Sequence, residues 1–299
     1  MPPRKLRSKP WDQWNRLVVN SKTPKTTKLK YTTSDLAPLN IKLVSDKDTD
    51  DASWFEPWDK LDKLTLAEPQ SLNKLLTLDL EAVENLDMLK RHQQRKSFCI
   101  DLWYAIDART SNYSDRADLP RTDPGVSLSM IRPWLPINGE NEFYKVDQFF
   151  TPGHPFIWGW YVLSLEEMCV RDRDFQETLY PHLQMAIFSF DCPDEDNILA
   201  SELSALVQII GIRSRQPAFS DSPNIAALLI FFFGARQVRV IQASYSKGTG
   251  DDGGNGEKEG EPKLTVTLQK AIDLAGNNQI ENEERMDEII RWRACNPSF

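Results

Sequence analysis

The run Ile225-Ala226-Ala227-Leu228-Leu229-Ile230-Phe231-Phe232-Phe233, followed by Gly234-Ala235 and then Arg236-Gln237-Val238-Arg239-Val240-Ile241-Gln242-Ala243-Ser244-Tyr245, decides the fold. The apolar run is about half the length that a helix needs to cross a bilayer. It is also too uniformly apolar for a strand with one wet face, so it predicts a strand buried on both faces. Gly234-Ala235 turns the chain back into a second strand, where Val238, Val240 and Gln242 alternate with Arg239, Ile241 and Ala243. A third strand is expected at Lys263 to Lys270, beyond a Gly-, Asp-, Glu- and Lys-rich stretch, Ser246 to Pro262, that reads as a flexible hairpin insert. On the N-terminal side, Asp194 is placed to cap a helix whose apolar face holds Ile198, Leu199, Leu203, Leu206, Val207 and Ile210. On the C-terminal side, Glu281 to Cys295 repeats the helical pattern through Met286, Ile289, Ile290 and Trp292. Helix, three strands, helix predicts an α+β fold with helices packed on a mainly antiparallel sheet.

Further out, the periodicities are weaker. Asp172 to Phe190 reads as helical with an interruption at Pro181, and the aromatic element Phe156 to Tyr161 reads as leading into a helix through Glu166, Glu167 and Met168. Core packing explains that aromatic cluster better than a ligand cage. Ser71 to Lys96 predicts a helix ending in Lys90, Arg91, Arg95 and Lys96, cations suited to a helix C-terminus. Phe98, Ile100, Leu102, Tyr104 and Ile106 alternate with Cys99, Asp101 and Trp103, which predicts a strand with Asp107 just past its end. Ala108 to Phe150 is irregular and punctuated by prolines. Thr32 to Glu56 reads as a linker or surface loop. Its Asp46, Asp48, Asp50 and Asp51 lack the Gly and Glu of a calcium loop. The expected divisions are therefore an arm at 1–31, a linker at 32–56 and a body at 57–299 with the insert at 246–262.

Charge separates the first division from the rest. Arg4, Lys5, Arg7, Lys9, Arg16, Lys22, Lys25, Lys28 and Lys30 face the single acid Asp12 before Thr32, a balance of +8 in a chain of net −8, which leaves −16 for the remainder. The arm is expected to be disordered, apart from a short helix that puts Trp11, Trp14 and Val18 on one face. Its two basic clusters, Arg4, Lys5, Arg7 and Lys9 and then Lys22, Lys25, Lys28 and Lys30, fit the acidic grooves of a nuclear import receptor. The same cations suit phosphates, with Trp11, Trp14 and Tyr31 as stacking faces. An acidic body repels a phosphate backbone, so nucleic-acid contact is expected through the arm only. The N-terminus lacks the apolar core of a signal peptide, and Cys99, Cys169, Cys192 and Cys295 are too scattered for a disulfide framework. A soluble, intracellular protein is expected.

Catalytic chemistry is hard to find. His92, His154 and His182 are not spaced as metal pairs, and the sequence has no GxSxG, P-loop or GxGxxG. A helix carrying Glu202 before a strand hairpin has the layout of metal-dependent nucleases, but the strands supply neither their Asp nor their Glu-x-Lys. The sequence therefore assigns no catalytic, cofactor-binding or metal-ligating residue and no cofactor. It leaves as the alternative an enzyme with an unrecognised site near Asp107, His154 or Glu202, or a degenerate nuclease-like fold.

Three segments carry a family likeness that covers most of the chain. Trp11-Asp12-Gln13-Trp14-Asn15-Arg16, Pro155-Phe156-Ile157-Trp158-Gly159-Trp160-Tyr161 and Phe233-Gly234-Ala235-Arg236-Gln237-Val238-Arg239-Val240-Ile241-Gln242-Ala243 resemble the hypoxia responsive morphology factor family of filamentous fungi. The resemblance implies a nuclear regulator that modulates expression of a subtelomeric gene cluster. That regulation would alter hyphal surface, colony and biofilm morphology, virulence and fitness at low oxygen. The family's bipartite nuclear signal would fall on the two basic clusters named above, and regulatory protein partners would carry the effect.

Overall fold

The computed structural model describes residues 29–45, 54–63, 65–66, 82–83, 85–114, 132–137, 160–171, 177–234, 236–248, 262–274 and 278–297. In chain order these form β1 (Lys30–Tyr31), α1 (Thr33–Leu36), β2 (Ile41–Ser45), β3 (Phe55–Glu56), β4 (Thr65–Leu66), α2 (Met88–Asn112), β5 (Tyr113–Ser114), β6 (Trp134–Pro136), β7 (Trp160–Arg171), β8 (Glu177–Ser189), β9 (Ile198–Leu199), α3 (Ala200–Arg213), β10 (Asn224–Phe233), β11 (Gln237–Ser246), β12 (Lys263–Leu268), β13 (Ile272–Asp273), α4 (Gln279–Arg293) and β14 (Asn296–Pro297).

The main sheet runs β2-β12-β11-β10-β8-β7-β6, with β13 also beside β11. Its pairings are mainly antiparallel; β8–β10 and β2–β12 are parallel. The architecture is α+β. The expected meander is present as β10, β11 and β12, with Ile230 opposite Val240 and Ala243 opposite Val266. Strand β10 sits at the centre of the main sheet, and every residue from Ile225 to Phe233 is at most 3% exposed.

That burial has two sources because successive side chains leave a strand on opposite faces. Ile225, Ala227, Leu229, Phe231 and Phe233 join a core with Leu203, Leu206, Val207 and Ile210 of α3. Ala226, Leu228, Ile230 and Phe232 join a second core with Phe98, Leu102 and Ile106 of α2 and Met286, Ile289 and Ile290 of α4. Helices thus cover both faces. Burying each large apolar side chain contributes about 1.5–3 kcal/mol, and the two clusters share that strand.

Several expectations are corrected. The region expected as a strand from Phe98 to Ile106 lies inside helix α2. Cys99, Leu102, Trp103 and Ile106 form a helical stripe facing the sheet, while Tyr104 is 65% exposed. Lys90, Arg91, Arg95 and Lys96 consequently occupy the first turns of that helix rather than its last. Asp87 caps it, accepting from the Lys90 amide at 3.0 Å. The segments expected as helices around Glu166 and from Asp172 to Phe190 contain the long antiparallel pair β7 and β8. Pro181 falls where the β7–β8 register skips from Glu167–Leu183 to Cys169–Leu179, so its missing amide donor disturbs no ladder bond there. Asp194 does not cap α3. It closes a loop by accepting from the amides of Asp196 and Asn197, and Glu202 reaches back to the Leu199 amide at 2.8 Å instead.

The segment expected as a linker contributes to the folded body. Thr32 caps α1 with a reciprocal Thr32–Asp35 box, and β2 adds the edge of the main sheet, parallel to β12. Gln242 then receives the amides of Trp54 and Phe55 on its side-chain oxygen at 3.1 and 3.0 Å. The proposed arm helix at 11–18, the aspartates at 46–51, the aromatic segment before Trp160 and most of the acidic insert lie outside the described residues.

Candidate functional site

Glu202 stands in the first turn of an apolar helix, and Arg239 stands in an apolar strand. Neither side chain is exposed beyond 1%. They meet through a two-point contact in which Arg239 Nε donates to Glu202 Oε1 at 2.8 Å and Nη2 donates to Oε2. The same guanidinium donates to the Asp194 carbonyl and, at 3.5 Å, to that of Asn197, pinning the loop before α3. Burial pushes the Glu202 carboxyl up, opposed by Arg239. The carboxylate that a nuclease-like site needs is therefore held by an arginine.

The other buried carboxylates are similarly engaged. Glu166 binds Arg132 at 2.6 and 3.0 Å and Arg293 at 3.4 Å, and Glu167 binds Arg213 at 2.9 Å. Arg293 also contacts Asp107 and stacks 4.1 Å from the Trp103 ring. Burial pulls Arg293 down to about 10, which leaves it protonated at neutral pH. Asp107 on α2 and Glu202 on α3 lie on opposite faces of the sheet, so the structure does not bring them together. His154 is outside the described residues. His182 accepts from the Ala226 amide at 3.1 Å, and burial followed by nearby Arg213 pulls its imidazole down to about 4. Among the described residues, no group of three or more His, Cys, Asp and Glu is placed to hold a metal ion.

Lys30 is the one import candidate among the described residues. Strand β1 pairs with β9, Leu29 accepts from the Ala200 amide, and the Lys30 ammonium binds Asp194 at 2.7 Å. That ammonium holds the Asp194 carboxyl down to about 2. The second basic cluster therefore ends docked on the loop that Arg239 secures. Arg4, Lys5, Arg7, Lys9, Lys22, Lys25 and Lys28 lie outside the described residues.

A different surface collects cations at one end of the sheet. The parallel strands β8 and β10 finish side by side, Ser189 opposite Phe233, and α2 begins over that edge. In α2, the stripe that later buries Cys99, Leu102 and Ile106 starts with Arg91, His92 and Arg95, all half-buried. Arg95 packs so closely on Gly234 that an added Cβ would lie 2.8 Å from Arg95 Cδ. Arg236 follows two residues on, half-buried and at φ 67°. Lys96 sits 4.1 Å above the Tyr161 ring, and His92 packs 4.2 Å from Phe190. Burial, then Arg95 and Arg91, pull the His92 imidazole down. Lys90, 68% exposed, lines an open groove of about 370 Å³ with Gln93, Gln94 and Ser97 on the outer flank of the same turns.

This rim is electrostatically unusual. From Met88 to Ile100 the helix has four cations and no acid. Cations near a helix N-terminus oppose its dipole by about 0.3–1 kcal/mol each when exposed. Sequence reading missed the rim because it put the same four residues at a helix end where they are favourable. The usable signal was Asp87 followed three residues later by Lys90, a start that lacks the usual acidic first turn.

Behind the rim, Asp191 accepts from Ser201 at 2.5 Å and Ser189 at 3.4 Å, and burial pushes its carboxyl up. These bonds tie the end of β8 to the start of α3. Comparison with protein-family models, curated proteins and solved structures finds no match, so the residues themselves carry the functional reading.

Proposed function

We propose that this chain is a nuclear regulatory factor, carried inward by its basic arm and acting through protein or nucleic-acid partners rather than by catalysis. In this reading it modulates a fungal gene cluster that governs hyphal surface, colony and biofilm morphology, virulence and fitness at low oxygen. The observation that carries the proposal is the charge division between an arm of +8 and a remainder of −16, the pattern of an address segment on a body that does not itself attract polyanions. Two structural facts support it. The carboxylates Glu166, Glu167 and Glu202 are bound to arginines, and Lys30 is bound to Asp194, which makes Arg4, Lys5, Arg7 and Lys9 the cluster to test.

The experiment is fluorescence localisation of the full chain beside a variant with Arg4, Lys5, Arg7 and Lys9 changed to Ala. Nuclear accumulation that disappears in the variant is the expected result. A cytoplasmic signal unchanged by the substitutions would overturn the proposal and favour an enzyme with an unrecognised site.

A further inference from the structure

We infer that the outer edge of β2 receives an extended acidic segment of a protein partner, which adds to the main sheet as a further strand. The inference goes beyond the import reading and does not rest on it.

Strand β2 ends the path of the main sheet, so among the described residues only β12 pairs with it. The Leu264 amide donates to the Asn40 carbonyl at 3.0 Å. In a parallel ladder that bond turns the main-chain groups of Lys42 and Val44 towards β12 and those of Ile41 and Leu43 outwards. Outward amides and carbonyls of this kind are what a peptide main chain pairs with. Beside them, Thr33 and Ala37 from the α1 turn line an open groove of about 300 Å³ together with Asn40, Ile41, Lys42 and Lys263.

The two faces of this edge differ in chemistry. Ile41 and Leu43 pack towards the core shared with α3. Lys42 lies opposite Thr265, on the face that Lys263 shares two residues earlier along β12. Both lysines are exposed, and neither has an ion partner among the described residues. Asp35, the acid of α1, accepts instead from the Thr32 amide and hydroxyl at 2.8 and 2.7 Å. The edge therefore specifies a strand whose side chains alternate between acidic, over the lysines, and apolar, beside Leu43. Lysines on an edge deter a like strand. A second copy of the chain would bring two more cations here, whereas carboxylates across from the lysines are favourable. A nucleic acid would meet the ammonium groups but offers no main-chain ladder to the outward amides.

The test is fluorescence anisotropy of the full chain with a short labelled peptide alternating glutamate and valine. A copy of that peptide N-methylated at every amide keeps every charge but has no donor for the ladder. The basic arm attracts both peptides alike, so the difference between them reads the edge. The unmodified peptide should bind tighter than its methylated copy by about tenfold or more, the effect of a few lost hydrogen bonds. The K42E/K263E variant should weaken binding of the unmodified peptide by about tenfold, as for two cross-strand charge pairs reversed. Equal binding of the two peptides, or none, would overturn the inference, as would unchanged affinity in a folded K42E/K263E variant. Equal binding of a peptide alternating lysine and valine would overturn the acidic assignment. Dimers of the chain that the peptide dissociates would give the edge to a second copy instead. Localisation plays no part in this readout, so its outcome is separate from that of the import test.

Discussion

Replacing Arg239 with Met tests whether the Glu202–Arg239 pair holds the face of the sheet beneath α3. Both side chains are almost completely shielded, so removing Arg239 strands a carboxylate without a countercharge. Breaking such a pair costs about 3–5 kcal/mol. Glu202 can escape only by taking a proton. For a carboxyl with an ordinary value of 4.5, that step costs about 3.4 kcal/mol at pH 7. The variant also loses the bond to the Asp194 carbonyl, so a total loss near 4 kcal/mol is expected. The pH dependence has a definite sign. Between pH 5 and 7 the unfolded chain ionises Glu202 while the folded variant keeps it protonated, so the folded variant binds more protons and gains stability as pH falls. Relative to the parent, the penalty should shrink as pH falls from 7 to 5, by at most about 2.7 kcal/mol because burial also pushes up the parent's Glu202 carboxyl. Urea unfolding at both values measures it. Adding E202Q, which keeps an acceptor for the Leu199 amide, should recover much of the loss at pH 7. A penalty below about 1 kcal/mol, as for an exposed pair, or one independent of pH, would refute the reasoning.

Two further perturbations follow from the same geometry. His182 is held near 4 against an ordinary 6.5, so the unfolded chain binds the extra proton first. Stability should fall as pH drops from about 6.5 towards 4, by up to about 3 kcal/mol, with H182Q flattening this part of the profile. Gly234→Ala would drive a methyl into the Arg95 stem, with contacts of 2.8, 3.0 and 3.1 Å to Cδ, Cβ and Cγ. A loss of about 1–3 kcal/mol in chemical denaturation is expected, and an unchanged midpoint would show that Arg95 moves away freely.

The meander was legible because β10 is apolar on both faces and its hairpin to β11 follows directly. Helices α3 and α4 were legible because their stripes are regular. The β7–β8 pair was obscured by polar residues at buried positions. His182 serves the Ala226 amide, and Gln184 donates to the Arg293 carbonyl at 3.1 Å; partners so distant in sequence leave no local period. In α2, Phe98 to Ile106 satisfies both alternation and a helical stripe, and the burial of Cys99 and Trp103 together with the exposure of Tyr104 separates the two. The Glu202–Arg239 pair could have been suspected from one charge of each sign inside otherwise apolar elements. Their separation of 37 residues, however, provides no spacing rule.

The parallel pairing of β2 with β12 also sets an order of events during synthesis. Ile41, Leu43 and Val44 emerge early, yet their ladder partners Leu264 to Thr267 are made more than two hundred residues later. At about 5–20 residues per second, that strand waits roughly 10–45 s for its place in the sheet. The β1–β9 pairing is delayed as well, because Ile198 and Leu199 follow Lys30 and Tyr31 by more than 160 residues. A nascent chain therefore presents an apolar strand and a basic lead segment together before its core can close, the period in which a chaperone has most to hold.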